Sequence, residues 1–219
     1  MLTSAPFSPS IVATPIGEKR VCFSHLDWAS FKQISSALAS QRVAHLTYDQ
    51  GKLEITMPLE EHETASEWIA LFIRHWVSLM GMKLKTIGST TLERADQNRS
   101  AEPDKGFYIQ NHSKVSGKRV DLATDPPPDL VVEIDITHTD IDKNRLYASL
   151  GIPEFWRYNG EWIRFYQLQG EGYQEVEISP TFPLMKKEDL YVFLSQCFQD
   201  EIVAEANLRQ LITDRVHNG

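Results

Sequence analysis

Apolar and polar side chains alternate through the segment that follows Pro126, Pro127 and Pro128. Leu130, Val132, Ile134 and Ile136 fall on one side, and Asp129, Val131, Glu133 and Asp135 on the other. A period of two is the signature of a strand, and the prolines keep the chain extended as it enters. The pattern predicts a strand over 130–136 with one apolar face and one face carrying three carboxylates. Like charges on one strand face repel unless something positive lies among them, and a divalent cation is the simplest candidate.

The rest of the chain reads as mixed α/β. Ser24 caps a predicted helix over 26–39, with Leu26, Phe31, Ile34 and Leu38 as its buried stripe. Residues 43–48 and 52–57 form a hairpin across Asp49-Gln50-Gly51. The longest helix runs over 60–80. Trp68, Ile69, Phe72, Ile73, Trp76, Val77 and Met80 give it a wide core face, Glu60, Glu61 and Glu63 suit its N-terminal dipole, and Gly81 stops it. Residues 83–88 and 90–94 read as two strands or one bent strand, and 105–109 as another. A helix over 139–150, capped by Thr139, follows the acidic strand. Asn159-Gly160 then joins strands 154–158 and 162–168, a third strand spans 173–178, and helices over 188–198 and 201–216 close the chain.

At 219 residues, without an internal repeat or linker, the sequence predicts a single domain over 21–219 preceded by a proline-bearing arm over 1–20. No apolar run reaches membrane-spanning length, the N-terminus lacks a signal-peptide pattern, and two cysteines show no metal-ligand spacing. The expectation is a soluble cytoplasmic protein with no membrane partner. The net charge of −8 argues against gripping nucleic acid by charge alone. Residues 83–119, however, hold eight basic residues against four acidic ones, so either a local basic face or a solvated surface is expected there.

Two Pro-Asp steps lead into strands, Pro103-Asp104 and Pro128-Asp129, and Glu133 follows the second. Two hard carboxylates at strand ends, completed by water, are how Mg²⁺ is usually held. Zinc-ligand spacing, a glycine-rich phosphate loop and a G-x-S-x-G elbow are missing from the sequence.

The segments MPLEEHETASEWI, GSTTLERADQNRSAEPDKGFYI, PPDLVVEIDI and DKNRLYASLGIPEFWRY, spread over about residues 45–170, resemble the PD-(D/E)xK nuclease superfamily. Within it, they are similar to the large bacterial branch of restriction endonuclease-like proteins. The resemblance implies an α/β (α+β) restriction endonuclease-like core. Its central mixed sheet would be flanked by helices, with an N-terminal helix and β-hairpin as an extension. It also implies phosphodiester hydrolysis with Mg²⁺, or alternatively Mn²⁺. Asp104 takes the place of the first motif acid and Glu133 of the second. Both become metal ligands, with the Ile134 carbonyl as a third. The motif's lysine belongs two residues after Glu133, where this chain has Asp135. In this branch the lysine stands on the next helix, four residues before a tyrosine, which selects Lys143 with Tyr147. Lys105 is the rival. An acidic position on the first helix of related nucleases maps to His62, Glu63 or Glu67, of which His62 is favoured.

The implied activity is a Mg²⁺-dependent endonuclease acting on DNA, with a two-fold homodimer suited to cutting both strands. The alternative is a catalytically inactive scaffold that binds nucleic acid or a protein partner, which Asp135 and the acidic net charge favour. A third reading is a phosphodiesterase acting on small substrates.

Overall fold

The computed structural model describes residues 19–38, 44–88, 90–136 and 139–218. Most of the predicted arm over 1–20 therefore lies outside the described residues. Lys19 and Arg20 belong instead to a strand that the periodicity did not reveal, β1 (Lys19–Phe23). Helix α1 (Trp28–Leu38) follows. Its cap is Asp27 rather than Ser24, because the Asp27 carboxylate accepts the Ser30 N–H at 2.7 Å. The hairpin forms from β2 (His45–Asp49) and β3 (Lys52–Met57). Gln50 and Gly51 both take positive φ, the geometry of a tight two-residue turn. Helix α2 spans Glu60–Leu79.

The stretch after α2 divides between two sheets. β4 (Lys85–Ile87) joins one, while β5 (Leu92–Arg94) pairs with β6 (Arg99–Ala101) in the other. Then come β7 (Lys105–Tyr108), the one-turn α3 (His112–Val115) and β8 (Leu130–Ile134). Helix α4 covers Lys143–Ser149, so it starts four residues later than expected. Asp142 caps it by accepting the Arg145 N–H at 3.0 Å, while Thr139 is used elsewhere. β9 (Glu154–Tyr158), β10 (Ile163–Gln169) and β11 (Gly172–Val176) make the meander, and α5 (Lys187–Cys197) and α6 (Glu201–Asn218) end the chain.

The larger sheet has the order β11-β10-β9-β8-β7-β4 and is mixed: β8 and β9 are parallel, and the other pairs are antiparallel. The parallel pair exists because α4 carries the chain back across the sheet face, as a parallel connection requires. β8 is buried along its whole length. Leu130, Val132 and Ile134 pack with Ile69, Phe72, Ile73 and Trp76 of α2 and with α5 and α6. Val131 packs on the opposite face with Leu146 and Tyr147 of α4, and with Leu92 and Ala101 from the smaller sheet. The second face of β8 is therefore partly apolar, with Glu133 and Asp135 at its C-terminal end and Asp129 at the other.

The smaller sheet, β1-β3-β2-β6-β5, is antiparallel and carries α1 over Phe31, Leu46, Tyr48 and Leu53. Its β1, β2 and β3, with α1, form the N-terminal extension, while β5 and β6 join it from between β4 and β7, and the sheet meets the Asp104 end of the site through His45.

Gly106, in β7, faces Ile87 of β4 across the ladder. A Cβ there would come within 2.8 Å of Ile87 Cγ1. Gly106→Ala is expected to force β4 outward and cost about 1–3 kcal/mol. Urea unfolding of the variant measures this directly, and an unchanged midpoint would contradict the close packing of these two strands.

Candidate active site

The antiparallel register of β7 and β8 pairs Lys105 with Val132. Extended by one residue, it sets Asp104 opposite Glu133 on the face turned toward α4. Asp104 is buried. One of its oxygens accepts the Ile134 N–H at 2.7 Å and lies 2.9 Å from His62 Nε2, and the other lies 3.2 Å from His45 Nδ1. In a strand, the N–H and C=O of one residue point to the same side, so the Ile134 carbonyl faces the Asp104 side as well. Glu133 is also buried and accepts hydrogen bonds from Lys143 Nζ and from the Tyr147 hydroxyl, both on α4. Lys143 is the first residue of α4, which aims its stem back at the end of β8. Its Nζ also reaches Asp135 at 2.8 Å.

Asp104, Glu133, Lys143, His62 and the Ile134 backbone thus meet in one place. Glu63 and Glu67 stay on the exposed surface of α2, and Lys105 pairs with Glu67 on the other face of the sheet. Three further participants were not identified from sequence. His45 comes from the hairpin, and only the packing of one sheet on the other reveals it. Arg157 of β9 donates to Asp135 at 2.7 Å, a neighbour visible only once β8 and β9 are known to run parallel. Glu54 of β3 accepts from Arg20 at 2.6 Å, from the Thr139 hydroxyl at 3.0 Å and from the Asp140 N–H at 3.1 Å. It thereby fixes the segment that leads into α4. Asp129, at the far end of β8, accepts the Ile109 and Asn111 N–H groups and is structural.

The electrostatics follow from burial. Burial pushes the Asp104 carboxyl up, but hydrogen bonds from His45 and His62 outweigh it and hold the group well below the usual carboxylate range. Glu133 is pushed up to about 7, because burial and the nearby Asp104 and Asp135 outweigh the attraction of Lys143. Burial acts to lower Lys143, yet Asp135 and Glu133 hold it firmly cationic. His45 is raised, since Asp104 more than offsets its burial. The Tyr147 hydroxyl is pushed up by burial and by Glu133. Three buried carboxylates thus face Lys143 and Arg157.

Two carboxylates and a main-chain carbonyl are hard oxygen donors of the kind Mg²⁺ takes while keeping several waters. Both Glu133 oxygens, and the Asp104 oxygen that faces His45, retain a lone pair beyond their present partner, whereas the other Asp104 oxygen already meets both the Ile134 N–H and His62. Among the described residues, no group of three or more His, Cys, Asp or Glu side chains is arranged to hold a metal. The donor set of Asp104, Glu133 and the Ile134 carbonyl is of the kind that a partly hydrated hard cation takes. Of the basic residues in 83–119, Lys85, Arg94, Arg99, Lys105 and Lys118 are tied to carbonyls or carboxylates. Four of the eight, Arg94, Arg99, Lys105 and Lys118, are thus offset by a carboxylate.

A mixed sheet with acids from adjacent strands at one end is the arrangement of the restriction endonuclease-like fold of the PD-(D/E)xK superfamily, and here the crossover helix brings a lysine to those acids. Residues 28–194 match the model of the Uma2 family, described as "Putative restriction endonuclease", and the chain belongs to that family. Families of this fold generally use divalent metals. Among solved structures, the chain is similar to a "putative nuclease belonging to DUF820" from Anabaena variabilis. The two share 19% identity at a TM-score of 0.46, over 67% of this chain and 89% of the other. No curated protein matches the chain. Among the described residues, no helix is long and apolar enough to cross a membrane.

Proposed function

We propose that the protein is a Mg²⁺- or Mn²⁺-dependent endonuclease that hydrolyses DNA phosphodiester bonds at the Asp104–Glu133 site. The observation that carries this reading is the convergence of Asp104, Glu133 and Lys143 on one buried point. Asp104, Glu133 and the Ile134 carbonyl would hold the ion, which when bound supplies an activated water and charge neutralisation at the phosphate. Lys143 is held protonated by two carboxylates. Its role is to orient the water and stabilise negative charge on the phosphate, rather than to accept a proton. His62 and His45 fix the Asp104 carboxylate from opposite sides.

The test is relaxation of supercoiled plasmid by purified protein with Mg²⁺ or Mn²⁺, beside Asp104→Asn and an EDTA control. The parent is expected to nick or linearise the plasmid. Asp104→Asn is expected to lose about a thousandfold or more, consistent with several kcal/mol of metal-derived stabilisation. No cleavage by the parent, or cleavage unchanged in the variant or in EDTA, would sink the assignment. A second reading, a scaffold that binds nucleic acid without cutting, is favoured by Asp135 at the motif's lysine position and by the exposed Glu60, Glu61, Glu63 and Glu67 on α2. Binding without cleavage in the same assay selects it. The proposal includes one folded unit that begins with β1 rather than at residue 21, a homodimer able to cut both strands, and a reducing cytoplasm suited to two unpaired cysteines.

A further inference from the structure

The acid at the motif's lysine position leads to an arginine that the proposed chemistry does not use. Asp135 is buried and divides its oxygens between two cations: Lys143 on one, at 2.8 Å, and Arg157 Nε on the other, at 2.7 Å. Arg157 stands beside Glu133 in the parallel register of β8 and β9. The two side chains therefore share the face on which Asp104 and Glu133 meet. The Arg157 side chain is 26% exposed, against 8% for Lys143. Asp135 engages only Nε. The two terminal nitrogens of the guanidinium make no hydrogen bond among the described residues.

The neighbouring charges narrow what this fork can bind. Lys143 is enclosed by its two carboxylates, Arg20 is tied to Glu54, and Arg145, though more exposed than Arg157, commits one of its terminal nitrogens to Asp49. The first turns of α2 present exposed Glu60, Glu61, Glu63 and Glu67, which repel a polyanion. Arg157 is an accessible cation whose planar donors match two oxygens of one phosphate.

We propose that Arg157 is a phosphate-binding residue of the site, contacting the non-bridging oxygens of a backbone phosphodiester, and that Asp135 positions it. This rests on the nuclease reading above. Asp135 then has a purpose at the position where the motif has lysine: it links the lysine sent from α4 to an arginine sent from β9.

The test measures binding of a fluorescein-labelled DNA duplex in Ca²⁺ over a range of salt concentrations, for the parent, Arg157→Ala and Arg157→Lys. Arg157→Ala is expected to bind about tenfold or more weakly, with the slope of log affinity against log salt reduced by about 1. Arg157→Lys keeps a charge but not the fork. It is expected to keep the parent's slope and bind more weakly. Should Arg157→Ala melt early because Asp135 loses its partner, Arg157→Lys carries the decision: affinity equal to the parent's overturns the proposal. A folded Arg157→Ala with unchanged affinity and slope overturns it as well, leaving the nuclease reading intact when that variant still cuts plasmid. A parent that binds no duplex and cuts no plasmid removes both.

Discussion

Replacing Lys143 with methionine is expected to abolish plasmid cleavage and to destabilise the fold. Lys143 is buried and bonded to Glu133 and Asp135, with Asp104 close by. Methionine keeps most of the stem but leaves Glu133 without a cation and Asp135 with Arg157 alone, while His45 and His62 remain on Asp104. Breaking a buried pair in this way costs about 3–5 kcal/mol. Cleavage should fall by about 10²–10³, the scale of removing one preorganised electrostatic group. A divalent ion supplies positive charge at the same place, so Mg²⁺ should raise the melting midpoint of Lys143→Met more than that of the parent. The measurement is thermal unfolding with and without Mg²⁺, beside the plasmid assay. A variant that melts with the parent, or still cuts at the parent's rate, would show that Lys143 is an ordinary helix charge.

Glu133→Gln is expected to act oppositely on stability while also ending catalysis. It removes one of the buried negative charges and preserves volume. The amide oxygen can face Lys143 and the amide nitrogen the Tyr147 hydroxyl, which can turn to accept. Burial already disfavours the ionised form of Glu133. The metal-free melting midpoint should therefore equal or exceed the parent's, while the stabilisation by Mg²⁺ disappears and cleavage drops by about a thousandfold or more. A metal-free midpoint several degrees below the parent's would point to a structural ion network, whose carboxylate serves the fold rather than the chemistry. Opposite shifts in stability with a shared loss of activity would separate these two residues in a way activity alone cannot.

The sequence makes Asp104 and Glu133 conspicuous because each stands in an acidic, proline-flanked stretch bordering a strand. Their meeting depends on the β7–β8 register, which periodicity leaves open, and the resemblance supplied that pairing. Lys143 is legible only through the resemblance, since an i, i+4 spacing with Tyr147 on a short helix is otherwise unremarkable. The helices of the core face, with Phe72, Ile73 and Trp76, follow directly from their 3.6-residue period. β6 escapes notice because three residues are too few to show a period. β1 escapes because its side chains are mostly exposed and it is held by pairing with β3. His45 and Arg157 reach the site only through contacts between sheets or between parallel strands.

The packing of the smaller sheet over β8 bears on how far this restriction endonuclease-like core is modular. His45 and Glu54 both belong to the hairpin, one against Asp104 and the other against the segment leading to α4. A unit trimmed to begin at α2 would keep both acids and the lysine, yet would lose a support from each side of the site. Any attempt to exchange this extension for another module must carry an equivalent of these two side chains across the graft.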